Sequence, residues 1–174
     1  NGLAGVDLPV TFIDADVRPL RDAAEARECA ELMAAMEPWR TLGRTVEAGV
    51  RGLTDPAKEV HVVRDGDEVA GFLVLDLHGM LRGYIQTVCV APSRQRSGLG
   101  SFLVGWAERR IARESPNVFL CVSSFNPDAE RLYRRLGYEV VGTLTDFIVT
   151  GHHETLLRKS TGSWAAFRRT SPAS

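Results

Sequence analysis

The sequence predicts an α/β (α+β) fold: one mixed central sheet with helices on both faces. Three observations carry this. Valine-rich, alternating runs and helix-spaced apolar runs interleave along the 174 residues, so strands and helices share one core. Three strand-like runs follow one another in the middle of the chain with no helix between them, which excludes a purely alternating doubly wound sheet. There is no internal repeat and no linker-like stretch, and the length suits a single domain.

Residues 1–10 carry no clear pattern and are expected to be a flexible segment. Phe12 to Arg18 alternates and reads as the first strand. Asp22 is placed to cap a helix in which Ala26, Cys29, Ala30 and Met33 recur at helical spacing, to about Ala35, before Pro38 breaks it. Thr45 to Leu53 reads as a second, shorter helix. Glu59 to Arg64 and Glu68 to Leu77 flank Asp65-Gly66-Asp67, a hairpin turn. Gly83 to Val90 is a further strand. Leu99, Phe102, Leu103, Trp106 and Ile111 mark one face of a long helix ending near Arg113. Asn117 to Val122 is a short strand. Ala129, Leu132, Tyr133 and Leu136 form the apolar face of another helix, closed by Gly137. Glu139 to Leu144 and Glu154 to Lys159 complete about seven strands. The domain is thus expected over 11–159, with 160–174 a loose tail, although Trp164 and Phe167 could dock.

A net charge of −1 provides no global field for nucleic acid or an anionic membrane. No apolar run is long enough to span a bilayer, and no secretory leader is read in the chain. Three cysteines (Cys29, Cys89, Cys121) sit singly in apolar patterns, which argues against a disulfide framework or a zinc site. A reducing cytoplasm is the expected compartment. No nucleic-acid or membrane partner is expected, and the chain is read as a monomer or homodimer.

The most informative stretch runs from Val88 to Ser101. A strand ends, a short basic loop follows, and Gly98 and Gly100 open an amphipathic helix. That order builds a nest of backbone N–H groups suited to a phosphate or pyrophosphate. By itself a Gly-x-Gly can also be a helix start packed closely on its neighbours. The third glycine and acidic residue of the Rossmann fingerprint and the lysine of the Walker loop are absent. About 25 residues further on comes the segment Asn126-Pro127-Asp128-Ala129-Glu130-Arg131-Leu132-Tyr133-Arg134-Arg135-Leu136-Gly137-Tyr138.

Together the two segments resemble the GNAT superfamily of acetyl-CoA-dependent N-acetyltransferases. Gln95-x-x-Gly98-x-Gly100 is similar to that family's pyrophosphate loop, and the Asn126–Tyr138 segment to its Asn-x-x-Ala-x-x-Leu-Tyr-x-x-x-Gly-Phe/Tyr helix. The resemblance covers most of residues 14–159. It implies a mostly antiparallel sheet splayed between strands 4 and 5, with acetyl-CoA as cosubstrate and no metal. It also implies that backbone groups at Val88 and Val90 pair with the pantetheine arm. The amides of Arg96, Ser97, Gly98, Leu99, Gly100 and Ser101, beside Gln95, would hold the pyrophosphate, and Arg94 and Arg96 could add charge. Asn126 would bond the pantetheine arm, and the same residue is a good helix N-cap; both roles can coexist. Tyr133 would protonate the leaving thiolate. A phenol, neutral at pH 7, is suited to that task, whereas its spacing alone favours a core tyrosine.

The acceptor side is less defined. Gln86 and Cys121 stand where relatives carry a basic glutamate, so no general base is assigned. Glu37, His78, His152, His153 and Glu154 are the remaining candidates for a relayed proton. Glu37 and Trp39, between the first two helices, and Tyr84 and Gln86 on the fourth strand are candidate substrate residues. Trp39 could equally pin its loop by burial, and Tyr84 could simply pack. The adjacent His152 and His153 lack partners for a metal site. The expected activity is transfer of an acetyl group to a primary amine by direct attack in a ternary complex. A small-molecule acceptor is favoured over a peptide or protein. A catalytically weak acyl-CoA sensor or interaction module is the competing reading.

Overall fold

The computed structural model describes residues 11–170; the expectation for residues 1–10 lies outside them. Seven strands form one sheet: β1 (Arg18–Pro19), β2 (Glu59–Asp65), β3 (Glu68–Asp76), β4 (Tyr84–Val90), β5 (Asn117–Ser123), β6 (Glu139–Thr145) and β7 (His153–Ser160). Their order is β1-β2-β3-β4-β5-β7-β6. All neighbours are antiparallel except β4 and β5, which run parallel. The helices are α1 (Ala23–Ala34), α2 (Val46–Leu53), α3 (Leu99–Ile111), α4 (Pro127–Arg135) and α5 (Trp164–Thr170).

The sheet separates two apolar layers. On one face, Ala26, Cys29, Ala30 and Met33 of α1 and Leu53 of α2 pack on Val62, Phe72, Val74 and Cys89. On the other, Leu99, Leu103, Val104 and Ile111 of α3 pack on Leu73, Leu75, Leu120 and Leu157. Each fully buried leucine or isoleucine in these layers contributes about 1.5–3 kcal/mol of transfer free energy.

Local chemistry sets the element ends. Asp22 accepts from the Glu25 amide at 2.9 Å, and Thr45 caps α2 through the Ala48 amide at 3.1 Å. Buried Glu25 ties α1 to the sheet: it binds Arg18 at 2.6 and 3.0 Å, Arg64 at 3.2 Å and the Arg21 amide at 2.8 Å. Hydrogen bonding from Arg18 is the main reason that its carboxyl is held down at about 2.

Two ends of the chain differ from the expectation. The strand expected from Phe12 is a short 3-10 turn over Asp14–Asp16, and β1 is confined to Arg18–Pro19. The Ile13 amide donates to the Asp16 carboxylate at 2.7 Å, so a local side-chain bond replaces the ladder. Where a loose tail was expected, β7 reaches Ser160 and α5 follows. The Trp164 and Phe167 rings meet edge to face at 5.7 Å, and Arg82 lies 5.9 Å from the Trp164 ring centroid.

The feature that positions the site is the fork between β4 and β5. Their pairing is limited to Tyr84 opposite Phe119. Beyond that point the strands diverge. β4 bends there because Leu75 faces Ile85 while Val74 faces Thr87, which leaves Gln86 as the extra residue of a bulge. At the base of the fork Gly83 has φ +88°, and a Cβ on it would lie 2.3 Å from the Asn117 carbonyl oxygen. Only glycine permits so close a strand approach there.

Candidate active site

The fork opens into a cleft of about 1460 Å³. Main-chain accounting shows what its walls offer. Along β4 the Ala91 amide donates to Ala70, and the register continues through Cys89 opposite Phe72 and Thr87 opposite Val74. In an antiparallel pair the bonded residues alternate, so the N–H and C=O groups of Val88 and Val90 point away from β3, into the gap. Along β5 the Ser124 amide donates to His153 and the Thr161 amide to Pro116. The same alternation turns the backbone of Val118, Leu120 and Val122 toward β7 and that of Cys121 and Ser123 into the gap. Two facing rows of unpaired peptide groups thus line the slot.

At the far end of β4 the slot meets the N-terminus of α3. Gly98 is its N-cap, in the left-handed region at φ +87°, with no side-chain cap. The amides of Gly100 and Ser101 lie in the first turn, where no helical carbonyl can reach them. A Cβ on Gly98 would meet no atom within 4 Å, so the space before these amides is open. Gln95, Arg96, Gly98, Gly100 and Ser101 line the cleft. Ser97 and Leu99 do not contribute side chains to it. The Ser97 hydroxyl donates to the Arg94 carbonyl at 2.5 Å, and Leu99 is buried against the sheet. Arg94 is ion-paired with Asp65 of the β2–β3 turn. Arg96, Arg131 and Arg135 also line the cleft, Arg131 ion-paired with Asp128 of its own helix.

Asn126 caps α4, accepting from the Ala129 amide at 3.3 Å, and also lines the cleft. The apolar face of α4 lays Tyr133 against Tyr138, ring centroids 5.7 Å apart and edge to face. Tyr133 is half-buried and lines the cleft. Burial pushes its phenol up to about 12, which keeps it protonated at neutral pH.

Side-chain alternation sorts the two faces of the fork. Val88, Val90, Leu120 and Val122 pack toward α3, the face that carries Tyr133. Tyr84, Cys121 and Ser123 therefore turn to the opposite face, with Leu156 and Glu154, the register partners of Cys121 and Ser123. The Tyr84 phenol contacts the Cys121 thiol, and burial raises both above their ordinary values. Gln86 is exposed in the cleft.

Of the other acceptor-side residues, Glu37 and Trp39 line the cleft. The Glu37 carboxylate is engaged by its own turn: it accepts from the Thr41 amide at 3.1 Å and from Arg40 at 3.1 Å, and hydrogen bonding from Thr41 lowers its pKa. Trp39 packs partly into the α1-side core while showing an edge to the cleft. His78 reaches the cleft wall. His152 instead meets Phe125 edge to face at 5.0 Å between ring centroids, and His153 is exposed. Glu154 is brought to the cleft wall, only 3% exposed, and accepts from the Ser123 hydroxyl at 2.6 Å. Ser123 was not singled out from the sequence. The alternation Cys121-Val122-Ser123 could have placed it beside Cys121, but its pairing with Glu154 depends on a register between strands separated in the chain. Among the described residues no cluster of three or more metal-binding side chains occurs, and no helix is long and apolar enough to cross a membrane.

Comparison with known proteins agrees with this arrangement. The model of the acetyltransferase (GNAT) family matches residues 20–138. An aminoglycoside 6′-N-acetyltransferase complexed with coenzyme A superposes with a TM-score of 0.67 at 16% identity, covering 84% of this chain and 97% of that one. A variant of the spermidine N-acetyltransferase from Vibrio cholerae gives 0.62 at 18% identity, covering 83% and 92%. Nourseothricin acetyltransferase gives 0.56 at 25% identity, covering 62% and 68%. No curated protein sequence matches the chain. The family match spans the fork, the open N-terminus of α3 and the Tyr133 helix, and the chain belongs to the GNAT acetyltransferase family, as an acyltransferase enzyme.

Proposed function

We propose that the protein transfers an acetyl group from acetyl-CoA to the primary amine of a small molecule, by direct attack within a ternary complex. One observation carries this reading. The two rows of unpaired peptide groups lead from the open amides of α3 to Tyr133.

In this account the pyrophosphate sits on the amides of Gly98 to Ser101, with Gln95 and Arg96 beside it. The pantetheine arm adds a strand-like segment between β4 and β5. It pairs with Val88 and Val90, and Asn126 reaches it from the start of α4. The acceptor nitrogen attacks the thioester carbon from the face opposite α3 and α4. Charge develops on the carbonyl oxygen, where an N–H from the β4 row is placed to receive it. The carbon–sulfur bond then breaks, its electron pair goes to sulfur, and the Tyr133 phenol donates the proton that makes the free thiol. The proton shed by the attacking nitrogen restores the phenol. The burial that makes Tyr133 a weak acid also desolvates the thiolate beside it and raises that group's proton affinity. Holding both reactants in one slot supplies much of the rate.

The named acceptors of the similar structures, an aminoglycoside and spermidine, are small amines, which supports the acceptor class. The test is thiol release on mixing the protein with acetyl-CoA and a panel of small amines, amino acids and peptides. Turnover with a small amine is expected. Saturable acetyl-CoA binding without turnover would point instead to a sensor or interaction module.

A further inference from the structure

The acetyl-transfer reading does not assign the group that takes the first proton from the acceptor, since Gln86 and Cys121 on the two strands of the fork carry no carboxylate. Glu154 is buried on the acceptor face of the fork, and its hydrogen-bond partner is a neutral hydroxyl, Ser123 Oγ at 2.6 Å. No lysine, arginine or histidine pairs with it among the described residues. A carboxylate held out of water without a cation is costly unless something supplies the missing charge. The other acceptor-side carboxylates already have partners. Glu37 is held by Arg40 and Thr41, and Asp76 is paired with Lys58.

We propose that the Glu154 carboxylate, oriented by Ser123, is the seat of the acceptor amine: it receives the substrate ammonium and takes the proton that must leave before nitrogen can attack. This rests on the acetyl-transfer reading. The step balances. The R–NH3⁺ group loses one proton to the carboxylate, giving R–NH2 and a carboxylic acid, and the proton passes to solvent after product leaves. Ser123 is a positioning residue, because it acts by fixing the carboxylate. The cleft that Glu154 lines carries apolar side chains, among them Met36, Trp39, Leu42, Phe147, Ile148 and Leu156, together with the Glu37 and Asp76 carboxylates. The titratable groups facing Glu154 are the Tyr84 phenol on β4 and the Cys121 thiol on β5.

The test measures kcat/KM against pH for the full-length protein and for Glu154→Gln, Glu154→Asp and Ser123→Ala. The amines are matched pairs: an arylalkyl monoamine and a polyamine. The wild type is expected to turn over at least one of them. Glu154→Gln should lose about 100-fold or more in kcat/KM, in the range of a positioned proton acceptor. Its remaining rate should climb with pH as the fraction of free amine grows. Acetyl-CoA affinity should not change. Glu154→Asp and Ser123→Ala should each lose about tenfold and keep the wild-type pH profile; these two decide the matter if Glu154→Gln does not fold. An active wild type with an unchanged pH profile in Glu154→Gln, or undiminished kcat/KM in Glu154→Asp and Ser123→Ala, overturns the seat alone. A wild type that turns over no amine overturns the acetyl-transfer reading as well.

Discussion

The Phe119 amide donates to the Gly83 carbonyl at 2.9 Å, and this bond closes the base of the fork between β4 and β5. Everything placed in the slot depends on that hinge point. Toward the chain start the strands touch. Toward Val90 and Ser123 they part and leave their peptide groups facing each other.

Gly83→Ala should damage this point. The added methyl group would fall 2.3 Å from a carbonyl oxygen and 2.6 Å from Ile111 Cγ2, at φ +88°. A cost of about 2 kcal/mol or more is expected, read as a fall in Tm of roughly 4–8 °C for a chain of this size. An unchanged Tm would mean that the approach of the two strands is not as tight as described.

Tyr133→Phe keeps the ring against Tyr138 and removes only the hydroxyl. The expected result is a fall in kcat of about 100-fold with acetyl-CoA affinity held within about threefold. Equal losses in both would return Tyr133 to a purely structural role.

Gly98→Val places a β-branched residue in the left-handed region and fills the open space before the α3 amides. Acetyl-CoA affinity should drop by at least about 100-fold, with the circular dichroism spectrum retained. Undiminished affinity would remove the pyrophosphate from this loop.

Glu25 gives the fold a defined acid response. Its carboxyl is held at about 2, below an ordinary value of 4.5, by Arg18 first and by the Arg21 amide and Arg64. Because the folded value is the lower one, this stabilisation is fully present above about pH 4.5 and is lost as pH falls toward 2. Glu25→Gln should be less stable at pH 7 and should show a flatter stability profile across that interval in urea titrations. Parallel profiles for the two proteins would dissociate Glu25 from acid unfolding.

Much of this was legible in the sequence for physical reasons. The helix faces of α1 and α3 follow from apolar spacing, the α1 cap from Asp22, and the β2–β3 turn from Asp65-Gly66-Asp67. The open amides of α3 follow from Gly98 and Gly100 at a strand-to-helix junction. What was not legible depends on non-local pairing. Ser123 and Glu154 are separated by α4 and β6, and only the β5–β7 register places one opposite the other. The start of β1 departs from the Phe12 alternation because Asp16 offers the Ile13 amide a local partner in place of the sheet.

The most direct measurement is a structure of the protein bound to coenzyme A. The diphosphate is expected within hydrogen-bond reach of the Gly98 to Ser101 amides and the sulfur about 3–4 Å from the Tyr133 hydroxyl, directly or through one water. A diphosphate bound elsewhere, or a sulfur remote from that phenol, would contradict this placement.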